Sequence, residues 1–299
     1  MNSHDAIPPA GLRDRLGDRL GDRLGVAPAQ LKSRVIDFYN GLNTYLSDGS
    51  LDGYVQFFNW GYLPVEGRPD DWSGSLPAAM LDRHAVRLVL ELLGPLGVDG
   101  LDVLDVGCGR GGTLAALAAR FSPRSLTGVD INPTSIAHCR QAHADPRLRF
   151  FQGDAEDLAF GDGTFDLVTN IESSNAYPDI DRFYREVNRV LRVGGHFAYT
   201  DLLQPAQFAH ARDFLTTNGF VIAADRDITA NVLAARREAA QVQLRAFNAQ
   251  EADAADPTRA ALMSYFLAPE GSEFFDSIED GRFEYRILRL RKVANCIEL

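Results

Sequence analysis

Three short segments of this chain combine glycines and acidic residues in a pattern that could bind a nucleoside. The first contains closely spaced glycines, which allow a tight turn and the near approach of a ligand: Gly107, Gly109 and Gly111. Asp130 follows about twenty residues later, where a carboxylate can accept hydrogen bonds from both hydroxyl groups of a ribose. The third segment, at 153–155, is a polar turn that could meet the edge of an adenine. Together these residues predict a site for an adenosine-containing ligand.

Each segment directly follows an apolar run that predicts a buried strand. Such runs lie at 103–106, 125–130, 148–152 and 165–171, and helical patterns follow the first two. A helical pattern over 77–93 precedes the first run, and a fifth strand is predicted over 196–202. Strands that alternate with helices build a parallel sheet, and open sheets of this kind bind ligands at the carboxyl ends of their strands. We therefore expect the three segments to meet in one crevice with the loop 172–178, which follows the fourth strand.

The chain resembles the class I S-adenosylmethionine-dependent methyltransferases. The resemblance covers roughly residues 80–225 and resumes near 282–293. Four elements carry it: residues 105–109, Asp130, residues 153–155 and residues 190–195. It implies S-adenosylmethionine as the cofactor. It also implies an α/β fold, a three-layer α/β/α Rossmann-like sandwich around a mostly parallel seven-stranded sheet, with the last strand antiparallel between the fifth and sixth.

A nicotinamide-dependent oxidoreductase is the alternative enzyme class, because it shares the glycine turn and the ribose-binding acid. That class needs room for a pyrophosphate at the helix N-terminus. It accounts neither for the turn at 153–155 nor for the element at 190–195.

The chain divides into three parts by composition. Residues 1–28 carry a four-residue repeat of leucine and predict an amphipathic arm, which is either frayed or docked on a neighbouring subunit of a homo-oligomer. Residues 29–76 combine a helical pattern with aromatic residues and predict a lid segment. Residues 77–299 form the predicted S-adenosylmethionine-binding methyltransferase domain, with a helical insert at 226–280 before the last strand.

The resemblance assigns cofactor roles to residues in the loops after the first four strands. Asp105, Gly107 and Gly109 lie at the methionine end, Asp130 meets the ribose, and Asp154 and Ala155 hold the amino edge of the adenine. Asn132 is a secondary candidate beside the adenosine, although Asn132 followed by proline also makes a good helix start. Asn170 is expected near the methionine end.

The aromatic residues of the lid segment are candidates for contact with the cofactor or the substrate. Aromatic faces attract cations by roughly 0.5–2 kcal/mol, and the sulfonium of S-adenosylmethionine is a cation. We expect Tyr54, Trp60 and Tyr62 to make this contact, together with Tyr177 from the loop after the fourth strand. The alternative is that the lid rings pack only against one another.

The loop 172–178 supplies the candidate catalytic residues. It most resembles the bacterial phthiotriol dimycocerosate methyltransferases, in which the corresponding loop reads Glu-Ala-Ser-His-Cys-Tyr-Pro. This chain has Asn175 in place of that histidine, and an amide cannot take up a proton at neutral pH, although it can orient one. Glu172 is therefore the remaining candidate base, unless its carboxylate only fixes the loop.

Composition and charge narrow the class of partner. The chain has 299 residues and a formal net charge of −11, which disfavours nucleic acid and anionic membranes as partners. It contains no apolar run long enough for a membrane span and no basic-apolar secretory signal, so we expect a cytoplasmic enzyme. Its three cysteines and its histidines lack metal-ligand spacing, so we predict no metal.

The sequence thus predicts methyl transfer from S-adenosylmethionine to a hydrophobic small molecule, in the biosynthesis of a secondary metabolite. O-methylation is favoured by the resemblance. The missing histidine leaves C- or N-methylation of a terpenoid, alkaloid or peptide-like product open. A protein that binds the cofactor without catalysis is a further alternative.

Overall fold

The computed structural model describes residues 27–48, 55–248 and 268–296. Within them seven strands form one sheet: β1 (Asp102–Val106), β2 (Ser125–Asp130), β3 (Leu148–Gln152), β4 (Phe165–Ile171), β5 (Leu191–Leu203), β6 (Phe220–Asp227) and β7 (Glu284–Lys292). Their order across the sheet is β3-β2-β1-β4-β5-β7-β6. Only β7 runs antiparallel to its two neighbours, β5 and β6. The predicted α/β fold is confirmed, including the position of the last strand.

Helices cover both faces of the sheet. In chain order they are α1 (Pro28–Asp48), α2 (Arg83–Leu93), α3 (Gly112–Arg120), α4 (Pro133–Ala142), α5 (Ile180–Val190), α6 (Pro205–Thr217), α7 (Thr229–Asn248) and α8 (Glu273–Glu279). The core on one face contains side chains of α2, α3, α4, α7 and α8, and the core on the other contains those of α5 and α6. No helix among these is both long and apolar enough to cross a bilayer.

The strands near the centre of the sheet are apolar on both faces because both faces are covered. Val103 of β1 packs into one core and Leu104 into the other, and neither side chain is exposed. This is the reason that the sequence shows continuous apolar runs there rather than an alternation of apolar and polar residues.

Three element boundaries differ from the sequence expectation. The helix before β1 begins at Arg83 rather than Pro77, because the intervening residues form hydrogen-bonded turns. Strand β5 begins at Leu191, which pairs with Phe165, rather than at residue 196. Strand β6 runs to Asp227, so the first two residues of the predicted insert 226–280 belong to the sheet. Most of the predicted arm lies outside the described residues.

A network of charges ties the C-terminal part of the lid segment and α2 to the sheet. The carboxylate of Glu91, which is fully buried, accepts hydrogen bonds from the backbone N–H groups of Asp71 (2.8 Å) and Trp72 (3.2 Å). It also pairs with Arg87 of α2 and Arg226 of β6. A buried charge of this kind is tolerated because it has several partners. The network holds residues 62–72 in one place and so orients the aromatic segment that precedes them.

Candidate functional site

A cleft opens at the carboxyl ends of β1 to β4, where the fold predicts a ligand site. Its empty volume, open mouth included, is about 1010 Å³. Most of its walls come from the loops after these strands, and the remaining walls come from α1 and the aromatic segment 56–59. Of the residues predicted from sequence, those that line it are Asp105, Gly107, Gly109, Asp130, Asp154, Ala155, Glu172 and Tyr177.

The turn between β1 and α3 forms the floor of the cleft. Gly107 and Gly109 both have positive φ angles, +73° and +51°, which a side chain would strain. A Cβ atom on Gly107 would lie only 1.9 Å from the Ser173 hydroxyl oxygen and 2.8 Å from the Tyr177 hydroxyl. Glycine at this position therefore allows the loop after β4 to pack directly onto the turn.

The carboxylate of Asp130 is held at the end of β2 by two backbone amides. One oxygen accepts from the N–H of Gly109 (2.9 Å) and the other from the N–H of Asn132 (2.8 Å). Enclosure in the protein raises the pKa of Asp130, while these two hydrogen bonds favour its ionised form. Each oxygen has a second acceptor site, so the group can still receive a pair of hydroxyl groups.

Asn132 does not line the cleft. Its side-chain oxygen accepts from the N–H of Ser135 (2.8 Å) and caps α4, which is the helix-start alternative. Its amide nitrogen donates to Ile36 and to Asn40 of α1 (3.1 and 3.0 Å). The side chain thus attaches the N-terminal helix to the sheet.

Asp105 and Asn170 lie at the ends of neighbouring strands, β1 and β4. Asp105 is buried and accepts a hydrogen bond from Thr169 (2.6 Å), and burial raises its pKa to about 7. Asn170 is fully buried behind the cleft, where its amide nitrogen donates to Val106 (2.8 Å) and Tyr177 (3.1 Å). Asp105 therefore reaches the cleft directly, whereas Asn170 supports the wall.

Lys32 of α1 is a cleft residue that the sequence did not reveal. Its ammonium lies 2.6 Å from a carboxylate oxygen of Asp154 and 2.5 Å from one of Glu156. The pair joins the N-terminal helix to the loop after β3. No local pattern marks a lysine whose partners lie more than a hundred residues away along the chain, so only the folded structure discloses it.

The aromatic residues of the lid segment are oriented differently from the expectation. Trp60 packs edge-on against Phe274, with 4.8 Å between ring centroids, and Tyr62 is fully buried with its hydroxyl on Asp70 (2.5 Å). Neither residue lines the cleft, because both rings join the core, and Gly61 between them (φ +84°) lies directly against His84 of α2. Within the lid segment, the described rings that line the cleft are Tyr39, Phe57 and Phe58. Tyr54 lies outside the described residues.

Glu172 is the first residue after β4 and has an unusual backbone conformation, with φ +50°. One of its carboxylate oxygens, Oε1, accepts from the backbone N–H of Trp60 (2.6 Å) and from the hydroxyl of Tyr285 on β7. The side chain is half-buried and opens to the cleft. Loss of water around it raises its pKa to about 8, although both hydrogen bonds act in the opposite direction.

Tyr177 and Asn175 occupy different sides of the same loop. The hydroxyl of Tyr177 lies 2.7 Å from that of Ser173, and burial raises the pKa of this phenol above its usual range. Asn175 does not line the cleft; its amide nitrogen donates to Asp201 (2.8 Å), a fully buried carboxylate that also accepts from the backbone N–H of Asn175 (3.0 Å). Here Asn175 serves to anchor the loop.

The hydrogen-bond acceptors along the cleft fit S-adenosylmethionine. Asp105, Asp130 and Asp154 offer carboxylates at three separate strand ends, which suits a ligand with ribose hydroxyls, an adenine amino group and a positive charge. The glycine turn leaves backbone accessible, and Phe57 and Phe58 stand over it as apolar faces. In the described ranges no group of three histidine, cysteine or acidic side chains is arranged to hold a metal ion.

Comparison with known sequences gives a consistent result. A family model described as a methyltransferase domain matches residues 104–199. The fatty-acid O-methyltransferase of Mycolicibacterium smegmatis is 45% identical over 152 residues, which are 50% of this chain and only about half (54%) of that protein. The phthiotriol/phenolphthiotriol dimycocerosates methyltransferase of Mycobacterium leprae is 32% identical over 246 residues, 80% of this chain and 86% of the relative.

Solved structures share the fold. The geranyl diphosphate C-methyltransferase of Streptomyces coelicolor A3(2), crystallised with S-adenosyl-L-homocysteine, is 21% identical with a TM-score of 0.59, over 90% of this chain and all of that chain. The cyclase SpnF is 22% identical with a TM-score of 0.65, over 89% of this chain and 96% of that one. At these identities the likeness establishes the architecture alone.

Proposed function

This chain belongs to the S-adenosylmethionine-dependent methyltransferases, and we propose that it methylates an oxygen atom of a hydrophobic, lipid-like small molecule. Its cofactor is S-adenosylmethionine, which when bound supplies a methyl group on a good leaving group. The nicotinamide-dependent alternative is set aside, because the relatives that cover most of the chain are methyltransferases.

The observation that carries the proposal is the position of Glu172. It is an ionisable side chain in the wall of the same cleft that the apolar and aromatic side chains of Phe57, Ile171 and Tyr177 also line. Pockets with apolar walls and a few polar groups suit hydrophobic ligands, whose orientation the polar groups determine. A hydroxyl group must lose its proton when its oxygen is methylated, and the Glu172 carboxylate is placed to accept that proton.

The other residues of the cleft hold and shield the reactants. Asp130 and Asp154 bind the nucleoside end, and Asp105 and the glycine turn hold the methionine end. Tyr39, Phe57 and Phe58 exclude water. Positioning of this kind supplies up to about 7–11 kcal/mol of the barrier reduction in favourable cases. The names of the relatives, a fatty-acid O-methyltransferase and phthiotriol dimycocerosates methyltransferases, support a long apolar acceptor.

A panel of acceptors with a labelled methyl donor tests this proposal. The protein is incubated with carbon-13-methyl S-adenosylmethionine and with long-chain secondary alcohols, fatty acids, prenyl alcohols and amines of matched length. We expect methyl ethers or esters by mass spectrometry and carbon NMR, with KM falling as the apolar chain lengthens. A label found on carbon or nitrogen contradicts O-methylation and favours the terpenoid, alkaloid or peptide alternatives.

We propose in addition that the enzyme acts in the cytoplasm, in secondary metabolism, and as a homo-oligomer joined through the arm 1–28. Deletion of residues 1–25 tests the last point by light scattering. An unchanged molar mass per particle contradicts the role of the arm.

A further inference from the structure

Tyr285 of β7 is distant in sequence from every motif of the site and does not line the cleft, yet it contacts Glu172. We propose that Tyr285 is a positioning residue, whose hydroxyl holds the Glu172 carboxylate ready to take the proton of a hydroxyl acceptor. The inference rests on the proposed function, because it assumes that the acceptor oxygen carries a proton.

The geometry places two donors on one oxygen of Glu172. The Tyr285 hydroxyl and the Trp60 backbone N–H both donate to Oε1, and neither Tyr285 nor Trp60 lines the cleft, whereas Glu172 does. The carboxylate is therefore held from behind, on the side away from the acceptor. A carboxylate fixed in this way loses little orientational freedom when it accepts a proton.

Tyr285 itself is rigidly held. It is fully buried, and its backbone N–H donates to the hydroxyl of Thr229 (2.9 Å) at the start of α7. Its carbonyl accepts from the N–H of Ile228 (2.8 Å), and it pairs with Leu202 across the ladder between β5 and β7. The position of the Tyr285 hydroxyl beside Glu172 is therefore fixed by the sheet.

Charged groups on the surrounding elements have opposite effects on the ionisation of Glu172. Asp201 of β5 disfavours ionisation of Glu172, while Arg236 of α7, which is 4% exposed, favours it. Among the described residues of the lid segment, Trp60 contributes its backbone N–H, and β7 contributes the Tyr285 hydroxyl. Burial raises the pKa of Tyr285 well above its usual range, so this phenol keeps its proton and acts as a donor.

The proton balance is complete with the groups named. The O–H bond of the acceptor breaks while its oxygen gains the methyl group, and the proton passes to the Glu172 carboxylate. The electron pair of the broken carbon–sulfur bond stays on sulfur. Glu172 then releases its proton to solvent through the open mouth of the cleft.

The experiment measures kcat against pH for the parent and for Tyr285→Phe, with a hydroxyl acceptor identified by the panel. The parent kcat should rise with pH through about 8, the pKa of Glu172. Loss of the phenol removes a hydrogen bond that favours the ionised carboxylate, so the midpoint should move upward by about one pH unit. At neutral pH kcat should fall about tenfold, while the calorimetric affinity for S-adenosylmethionine stays that of the parent.

Tyr184→Phe is the matched control. Tyr184 of α5 is 1% exposed and its hydroxyl donates to Tyr199 (3.4 Å) rather than to Glu172. Its variant should keep the parent profile. A profile of Tyr285→Phe that coincides with the parent overturns the proposal.

Glu172→Gln covers the case in which Tyr285→Phe does not fold. Its amide oxygen can still accept both hydrogen bonds but does not titrate, so the rising limb should disappear. A limb that persists in Glu172→Gln overturns the proposal. Product analysis separates the two inferences: methylation of carbon or nitrogen contradicts the proposed function, whereas O-methylation with coincident profiles contradicts the role of Tyr285 alone.

Discussion

The two ends of the cleft are built in different ways. The end that we propose for the cofactor contains Asp105, Asp130 and Asp154, all of which lie at or just beyond the carboxyl ends of adjacent parallel strands. The end that we propose for the acceptor combines the loop after β4 with the aromatic segment 56–59 and, behind the wall, Tyr285. The first is assembled by a regular sheet, and the second by contacts between segments that are far apart in the chain.

The difference explains why one end can be recognised in a sequence and the other cannot. Parallel strands bring their carboxyl ends to a single edge, so a residue that follows a strand has a foreseeable position. A side chain on a helix or lid has no such constraint, and its direction depends on the surface against which that segment packs. Lys32 and Phe58 reach the cleft by packing of this second kind.

Gly107 lies where the two ends of the cleft meet, so its substitution should impair cofactor binding and acceptor binding together. In Gly107→Ala the new Cβ atom would clash with Ser173 and Tyr177, and the positive φ would be strained. We expect loss of at least about a hundredfold in kcat/KM, since a clash of this kind costs roughly 3 kcal/mol or more. Calorimetry should show weakened cofactor binding, and the acceptor KM should rise as well.

Gly67→Ala is the control for backbone strain. Gly67 has a similar φ (+79°), but a Cβ atom there would meet nothing within 4 Å. Gly67→Ala should lower the melting temperature slightly and leave the cofactor affinity and the acceptor KM unchanged. If Gly107→Ala behaves in the same way, the two ends do not share this contact.

Asp130→Ala should separate the two ends of the cleft, because it changes the proposed cofactor end alone. Loss of a carboxylate that receives two hydroxyl groups should weaken S-adenosylmethionine binding by well over tenfold, as expected for hydrogen bonds to a charged group. The acceptor KM at saturating cofactor should not change. Isothermal titration measures the first value and steady-state kinetics the second, with the exposed Asp157→Ala as control. Unchanged cofactor affinity would exclude the ribose assignment.

Asp105→Asn should have the smallest effect and concerns the stability of the cofactor end. Burial raises the pKa of Asp105 to about 7 from an ordinary value of 3.8, so the folded state holds this proton more tightly than the unfolded state. The corresponding stabilisation is complete below the unfolded pKa and is lost as pH rises through 7. The asparagine variant should therefore exceed the parent in stability above pH 7 and approach it in acid.

Thermal unfolding of the cofactor-free protein measures this difference. We expect a gain of about 1 kcal/mol or more on the alkaline side, equivalent to about 2–4 °C in a domain of this size. The carbonyl oxygen of asparagine can still accept the Thr169 hydrogen bond, so the packing is preserved. If Asp105→Asn and the parent have equal melting temperatures both in acid and above pH 7, Asp105 is not held in its neutral form. Asp157→Asn is the exposed control.

The sequence, with the family resemblance, was sufficient for the α/β fold, for the place of the last strand between the fifth and sixth, and for the strand-end segments that line the cleft. It misjudged particular side chains at the acceptor end. Trp60 and Tyr62 belong to the core, and Asn175 is engaged by Asp201, a partner that no spacing rule identifies. Tyr39, Phe57 and Phe58 take the places that the first two were expected to occupy.

What the sequence determined by itself were features with a local physical cause: apolar runs covered on both faces, glycines at positive φ, and acids at strand ends. The folded arrangement was needed to show which side chains of α1 and the lid segment face the cleft, and that a tyrosine of the last strand contacts Glu172. Local patterns record how a segment folds, whereas the direction of a side chain between segments depends on long-range packing, which no short stretch of sequence encodes.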